Sequence, residues 1–125
     1  MNNEQLNQLS GKIIGLAIEI HKKLGPGFIE KIYERALREE FKKGEIRFSS
    51  QHEIQIKYGD TSIGGQRLDL LVEGEIIVEL KSVSEISEIH QAQLISYLKA
   101  ADKKVGLILN FAKKKLDIKR IVNNF

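Results

Sequence analysis

From Asp69 to Lys81 the chain reads D-x9-E-L-K, which brings two carboxylates and an ammonium group into one short stretch. Carboxylate oxygens are the ligands that hard divalent cations such as Mg2+ or Mn2+ take. An ammonium group beside them can neutralise developing negative charge, or help to orient and deprotonate an attacking water. The three groups together suit metal-assisted hydrolysis. Whether they meet depends on the strands that carry them.

Alternating apolar and polar residues place one strand from about Gly65 to Glu73 and another from about Glu75 to Ser82, with Gly74 between them as a hairpin turn. Leu68, Leu70, Val72, Ile76, Val78 and Leu80 form one face. Arg67, Asp69, Leu71 and Glu73 form the other, with Ile77, Glu79 and Lys81 on the neighbouring strand. Opposed residues of an antiparallel pair share a face, so core must meet core. A loop of Glu73-Gly74-Glu75 satisfies this, with Val72 facing Ile76. It sets Asp69 opposite Glu79 and Arg67 opposite Lys81. Opposed Cβ atoms lie ~5 Å apart, and like charges so placed are destabilising. A divalent cation between two carboxylates makes the same pairing favourable. Lys81 projects on the same face as Glu79, ~7 Å along the strand. The residues alone leave a second reading open: an ordinary hairpin with an apolar core face and a polar solvent face.

A third carboxylate would complete a metal site. Glu19 and Glu30 stand on the two N-terminal helices, where a glutamate is most often simply solvated. On a later helix His90, Gln93 and Tyr97 share one face. Gln93 could hold a water or a phosphate oxygen, and Tyr97 also reads as a half-buried aromatic.

The elements around these residues follow from periodicity. Leu6, Leu9, Ile13, Leu16, Ala17, Ile20 and Leu24 recur at helical spacing up to Gly25-Pro26-Gly27. A second helix carries Ile29, Ile32, Tyr33, Ala36, Leu37 and Phe41 and ends at Gly44. The period then changes to two, giving a strand from Ile46 to Tyr58. After the hairpin comes a helix from about Ser87 to Ala101, with Ile89, Ala92, Leu94, Leu98 and Ala101 as its apolar positions. Val105 to Leu109 is apolar on both faces and reads as a central strand. Leu116 to Val122 reads as an edge strand. The order α-α-β-β-β-α-β-(β) describes an α/β (α+β) domain of residues 1–125, a mixed sheet flanked by helices.

Composition excludes several chemistries. There is no cysteine, so disulfides, thiolate metal sites and cysteine nucleophiles are ruled out. No apolar run reaches the ~20 residues of a membrane span, and Met1-Asn2-Asn3-Glu4-Gln5 lacks the basic start of a signal peptide. A cytoplasmic protein is expected. The net charge of +3 is modest, but Lys103-Lys104, Lys113-Lys114-Lys115 and Lys119-Arg120 all lie late in the chain. They read as solvated turns or as contacts for a polyanion.

Gly27-Phe28-Ile29-Glu30-Lys31-Ile32-Tyr33 matches G-x-x-E-x-x-Y. Glu19-Ile20-His21, Leu24-Gly25-Pro26-Gly27, Arg67-Leu68-Asp69-Leu70, Val78-Glu79-Leu80-Lys81, Gln93-Leu94-Ile95-Ser96-Tyr97-Leu98 and Leu109-Asn110-Phe111 surround it in order. The set resembles the GxxExxY proteins, which are similar to the PD-(D/E)XK nuclease superfamily. One departure is that Leu68, not proline, precedes Asp69. The resemblance implies a restriction-endonuclease-like core. It implies Asp69 and Glu79 as metal ligands, Lys81 as the catalytic lysine and Glu30 as the helix-borne acid and third ligand. Gln93, Tyr97, Tyr33 and Arg67 would line the substrate. Glu19 and His21 match without a role. The function implied is Mg2+-dependent (or Mn2+-dependent) hydrolysis of phosphodiester bonds in DNA rather than RNA, with a homodimer suited to cutting two strands. The alternatives are a catalytically inactive nuclease-fold protein that binds nucleic acid, and a protein-interaction module using the acidic hairpin.

Overall fold

A capping box starts the first helix: the Gln5 amide donates to Asn2 Oδ1 at 2.8 Å and the Asn2 amide to Gln5 Oε1 at 2.9 Å. Helix α1 (Asn3–Leu24) ends at Gly25, and the turn into α2 (Glu30–Lys43) uses positive φ at Gly25 and Gly27, 72° and 115°. The computed structural model describes residues Met1–Phe125. Five strands follow the expected order: β1 (Phe48–Tyr58), β2 (Thr61–Val72), β3 (Ile76–Lys81), then α3 (Glu88–Ala101), β4 (Val105–Asn110) and β5 (Asp117–Val122). They form one sheet in the order β1-β2-β3-β4-β5, antiparallel except for the parallel β3–β4 pair. α3 supplies the crossover that a parallel pair requires.

Both faces of the sheet are covered. On one, α1 and α2 bury Leu6, Ile13, Ala17, Tyr33, Leu37 and Phe41 against Leu70, Val72, Val78, Leu80, Leu107 and Leu109. On the other, Leu94 and Leu98 of α3 pack on Ile54, Leu68, Leu71, Ile77 and Ile108. The polar solvent face that the hairpin pattern allows is therefore absent around Leu71 and Ile77. β4 is buried at all six positions, as a central strand should be.

Two expectations about faces need correction. Leu68 packs with the α3 side, whereas Leu70 and Val72 pack with the α1–α2 side. Likewise Phe48 joins the α1–α2 core, but Ile54 and Ile56 join the α3 core. Both strands change sides at the same level, since Ser50 pairs with Leu70 and His52 with Leu68. The residue between, Gln51, has a left-handed φ of 51°, which breaks the two-residue alternation. Along α3, Ile89 and Ala92 are exposed rather than core.

Helix α3 can approach β4 because Gly106 has no side chain. A Cβ there would lie 2.8 to 2.9 Å from three atoms of the buried Leu94. Gly106→Ala is expected to push α3 off the sheet and cost about 1–3 kcal/mol. Thermal denaturation would show this as a Tm lowered by several degrees, and an unchanged Tm would contradict the packing.

Candidate active site

The β2–β3 register is Val72 to Ile76, Leu71 to Ile77 and Leu70 to Val78, across the three-residue loop expected from parity. Glu73 and Gly74 take left-handed φ values of 53° and 64°, and the Glu75 amide closes the turn on the Val72 carbonyl at 2.9 Å. The next pair would be Asp69 and Glu79. Here the backbone ladder stops. The Asp69 amide donates to Glu79 Oε2 at 2.9 Å, and the Leu80 amide donates to Asp69 Oδ2 at 2.9 Å. Each carboxylate thus replaces a ladder acceptor on the opposite strand. The strands part beyond this point, so Arg67 and Lys81 do not pair; Arg67 is exposed.

Glu79 is only 8% exposed. Burial, and then the Asp69 charge, push its carboxyl up to about 8, against a smaller opposing pull from the Lys81 ammonium. Tyr97 of α3 is half-buried over this pair. Burial and the charges of Glu79 and Asp69 hold its phenol above the usual value, so it is a neutral hydrogen-bond donor at physiological pH. Gln93 lies one turn before Tyr97 on the same helical face and is exposed. His90 does not extend that stripe into the site. It makes a capping box with Ser87, its Nδ1 accepting from the Ser87 amide at 3.0 Å.

Each carboxylate keeps one oxygen, Asp69 Oδ1 and Glu79 Oε1, that takes no backbone amide. A donor set of carboxylate oxygens suits Mg2+ or Mn2+, and Mg2+ is commonly held by one or two carboxylates while keeping several waters. No third acidic or histidine side chain is gathered with the pair.

Glu30 opens α2 on the opposite side of the sheet. It is exposed, and its Oε1 accepts from the Ser82 amide at 3.2 Å. It therefore reaches the end of β3, one residue past Lys81, but is not grouped with Asp69 and Glu79. Tyr33 does not line substrate. It has no exposed surface, its hydroxyl donates to the Gly25 carbonyl at 2.6 Å and accepts from the Phe28 amide at 3.1 Å, and its ring stacks on Phe111 at 4.2 Å. The tyrosine of the G-x-x-E-x-x-Y stretch ties down the glycine turn that precedes it.

Other residues acquire roles that their types did not announce. Asn110, fully buried, accepts from the Val83 amide at 3.1 Å and donates to the Val83 carbonyl at 2.8 Å. With the Phe111 amide on the Lys81 carbonyl at 3.1 Å, it fixes the segment just after Lys81. Glu34 is buried at 7% exposure and accepts from Gln51 Nε2 at 2.9 Å and Ser50 Oγ at 3.3 Å. It holds the stretch of β1 that stands opposite Asp69. His21 is buried with Nε2 2.8 Å from the Lys113 carbonyl, while Glu19 is exposed and lies 3.6 Å from Lys22.

A mixed sheet with carboxylates where two strands part, a lysine two residues on, and helices on both faces is the restriction-endonuclease-like fold. The chain belongs to the PD-(D/E)XK nuclease superfamily, whose family model matches residues 7–121. It is also similar to the protein in the crystal structure of SSO0001, with a TM-score of 0.58 and 18% identity over 76% of this chain. This chain spans about half the length of that one, 50%, and the likeness is one of fold. No curated protein matches the sequence. No helix is long and apolar enough to cross a membrane.

The raised Glu79 carboxyl has a measurable consequence in metal-free protein. The folded state favours the protonated form, so this contribution to stability is complete below the ordinary value of 4.5 and is lost as pH rises through about 8. Melting temperature, measured from pH 5 to 9 in chelator, is expected to fall more steeply for wild type than for Glu79→Gln. Parallel curves would refute the assignment.

Proposed function

We propose that this chain is a metal-dependent nuclease that hydrolyses phosphodiester bonds, with DNA as substrate in preference to RNA. The observation that carries the reading is the apposition of half-buried Asp69 and buried Glu79, with Lys81 on the same face as Glu79. A close pair of carboxyls, one of them buried, resists full ionisation, and Glu79 keeps its proton up to about 8. The retention of such a pair in a sheet covered on both faces is best accounted for by a cation that offsets it. Asp69 and Glu79 would hold Mg2+ or Mn2+ through their uncommitted oxygens, and the ion would supply Lewis-acid polarisation of a phosphoryl oxygen and acidify water.

The remaining steps fall to this chain's own groups. The Lys81 ammonium would stabilise charge developing on the phosphate, or orient the attacking water. Tyr97 and Gln93 would donate to phosphate oxygens from α3. Glu30 would act by positioning, holding the Ser82 amide and thereby the direction of Lys81. Arg67, exposed beside Leu68, would contact the flanking backbone. Cutting both strands of a duplex would call for two copies of the site, hence a homodimer.

A second reading is favoured by the same hydrogen bonds. Because Asp69 and Glu79 each cap an opposing backbone amide, they have a structural use without a metal. A catalytically inactive nuclease-fold protein that binds nucleic acid would look the same.

Calorimetry with Mn2+ or Mg2+, and cleavage of matched duplex, flapped and single-stranded DNA and RNA, separate the two. Wild type is expected to bind the metal at up to millimolar concentration, and Asp69→Ala is expected to abolish binding. Lys81→Ala is expected to retain metal while cleavage falls by ~100-fold or more. No heat of binding and no cleavage from wild type would leave the inactive reading.

A further inference from the structure

The basic residues late in the chain fall at three places that the fold separates. Lys103 and Lys104 precede β4, at the end of the sheet away from Lys81. Lys119 and Arg120 lie on β5, where the Arg120 guanidinium donates to Asn7 Oδ1 at 2.6 Å and lies 4.8 Å from the centre of the Phe125 ring. Lys113, Lys114 and Lys115 follow β4 at the end that carries the site, because β4 runs parallel to β3 with Asn110 level with Lys81.

Within that loop the three lysines differ. Lys113 is already neutralised, 3.0 Å from Glu85 and 3.6 Å from Asp117. Lys114 and Lys115 are exposed and make no ion pair. With Lys22 they line a hollow of about 270 Å3, whose other walls are Ile18, His21 and Leu116. Lys22 is within 3.6 Å of Glu19, but both side chains are more than half exposed, and such a pair contributes little.

His21 gives the hollow a fixed shape. A carbonyl can only accept, so His21 Nε2 donates to Lys113 and ties the end of α1 to the start of the lysine run. The His21 ring also packs on Phe111, with centroids 5.9 Å apart. The other hollow, about 390 Å3 at the β2–β3 turn, differs in charge: its one guanidinium, Arg47, is bonded to Glu73 at 3.0 Å.

Three ammonium groups around one hollow, with no carboxylate committed to two of them, suit a phosphodiester group. Adjacent strands lie ~4.8 Å apart and four residues of chain span at most ~14 Å, so Lys114 is within ~19 Å of Lys81 along the backbone trace. At ~3.4 Å of rise per nucleotide that is no more than about six nucleotides.

We propose that Lys22, Lys114 and Lys115 form a phosphodiester-binding pocket that holds the DNA strand a few nucleotides from the scissile bond. The proposal rests on the nucleolytic reading of Asp69, Glu79 and Lys81. It adds the path of the strand that is cut, which runs from the end of β3 across the β4–β5 loop to the end of α1.

The test compares two variants of equal charge: Lys114→Ala/Lys115→Ala and Lys103→Ala/Lys104→Ala. Binding of a fluorescein-labelled single-stranded DNA is measured by anisotropy in chelator across a salt series, after thermal melts confirm that both variants fold. The site-end variant is expected to bind ~10-fold more weakly and to lose about 1.4 from the slope of log K against log salt, ~0.7 per lost contact. The far-end variant is expected to stay near wild type. Equal weakening by both, weakening by neither, or no binding by wild type overturns the pocket. Cleavage in Mg2+ is scored separately. A binding contrast without cleavage by wild type rejects only the nucleolytic reading, whereas cleavage without the contrast rejects only the pocket.

Discussion

Where β2 and β3 part, the sheet exchanges two of its backbone acceptors for carboxylates: Glu79 takes the amide of Asp69 and Asp69 takes the amide of Leu80. Ladder groups left open at a fork need partners, since a buried amide without one costs about 1–3 kcal/mol. The two acids meet that need and are locked in relation to each other by it. Rotamer freedom of both side chains is thereby lost within the fold itself. The rest of the site is arranged around this fork. α3 covers Glu79 on one side, and Leu80 anchors the same strand in the opposite core.

The end of β3 is held from several directions. Asn110 grips Val83 through both its backbone groups, Phe111 donates to the Lys81 carbonyl, and Glu30 reaches over from α2 to Ser82. Lys113 and Glu85 join the two loops above. These ties surround the backbone on which Lys81 sits, so its position is set from α2, from β4 and from the loop after β4. Tyr33 extends the same network to the glycine turn, since its hydroxyl bonds both Gly25 and Phe28 while its ring lies against Phe111.

The element order was legible because the period changes sharply at Gly44 and again after Ser82. The juxtaposition of Asp69 and Glu79 was legible from parity once the loop was centred on Gly74, since apolar residues at even positions on both strands allow only an odd loop. Coverage by α3 was not. Leu71 and Ile77 stand among charged neighbours, so their face reads as half solvated until Leu94 and Leu98 are placed on it. The change of sides at Gln51 was hidden too, because a glutamine does not announce a left-handed φ. Glu34 went unnoticed and Tyr33 misled, for opposite reasons. A helical glutamate reads as solvated and this one is buried. A tyrosine within a motif reads as a substrate contact, and this one is sealed in the core.

The fork divides labour within single side chains. Oδ2 of Asp69 and Oε2 of Glu79 serve the sheet, and Oδ1 and Oε1 take no backbone amide. An amide in place of either carboxylate keeps an oxygen for the backbone while surrendering charge. A substitution can therefore leave the hydrogen bonds of the fork in place while changing its charge.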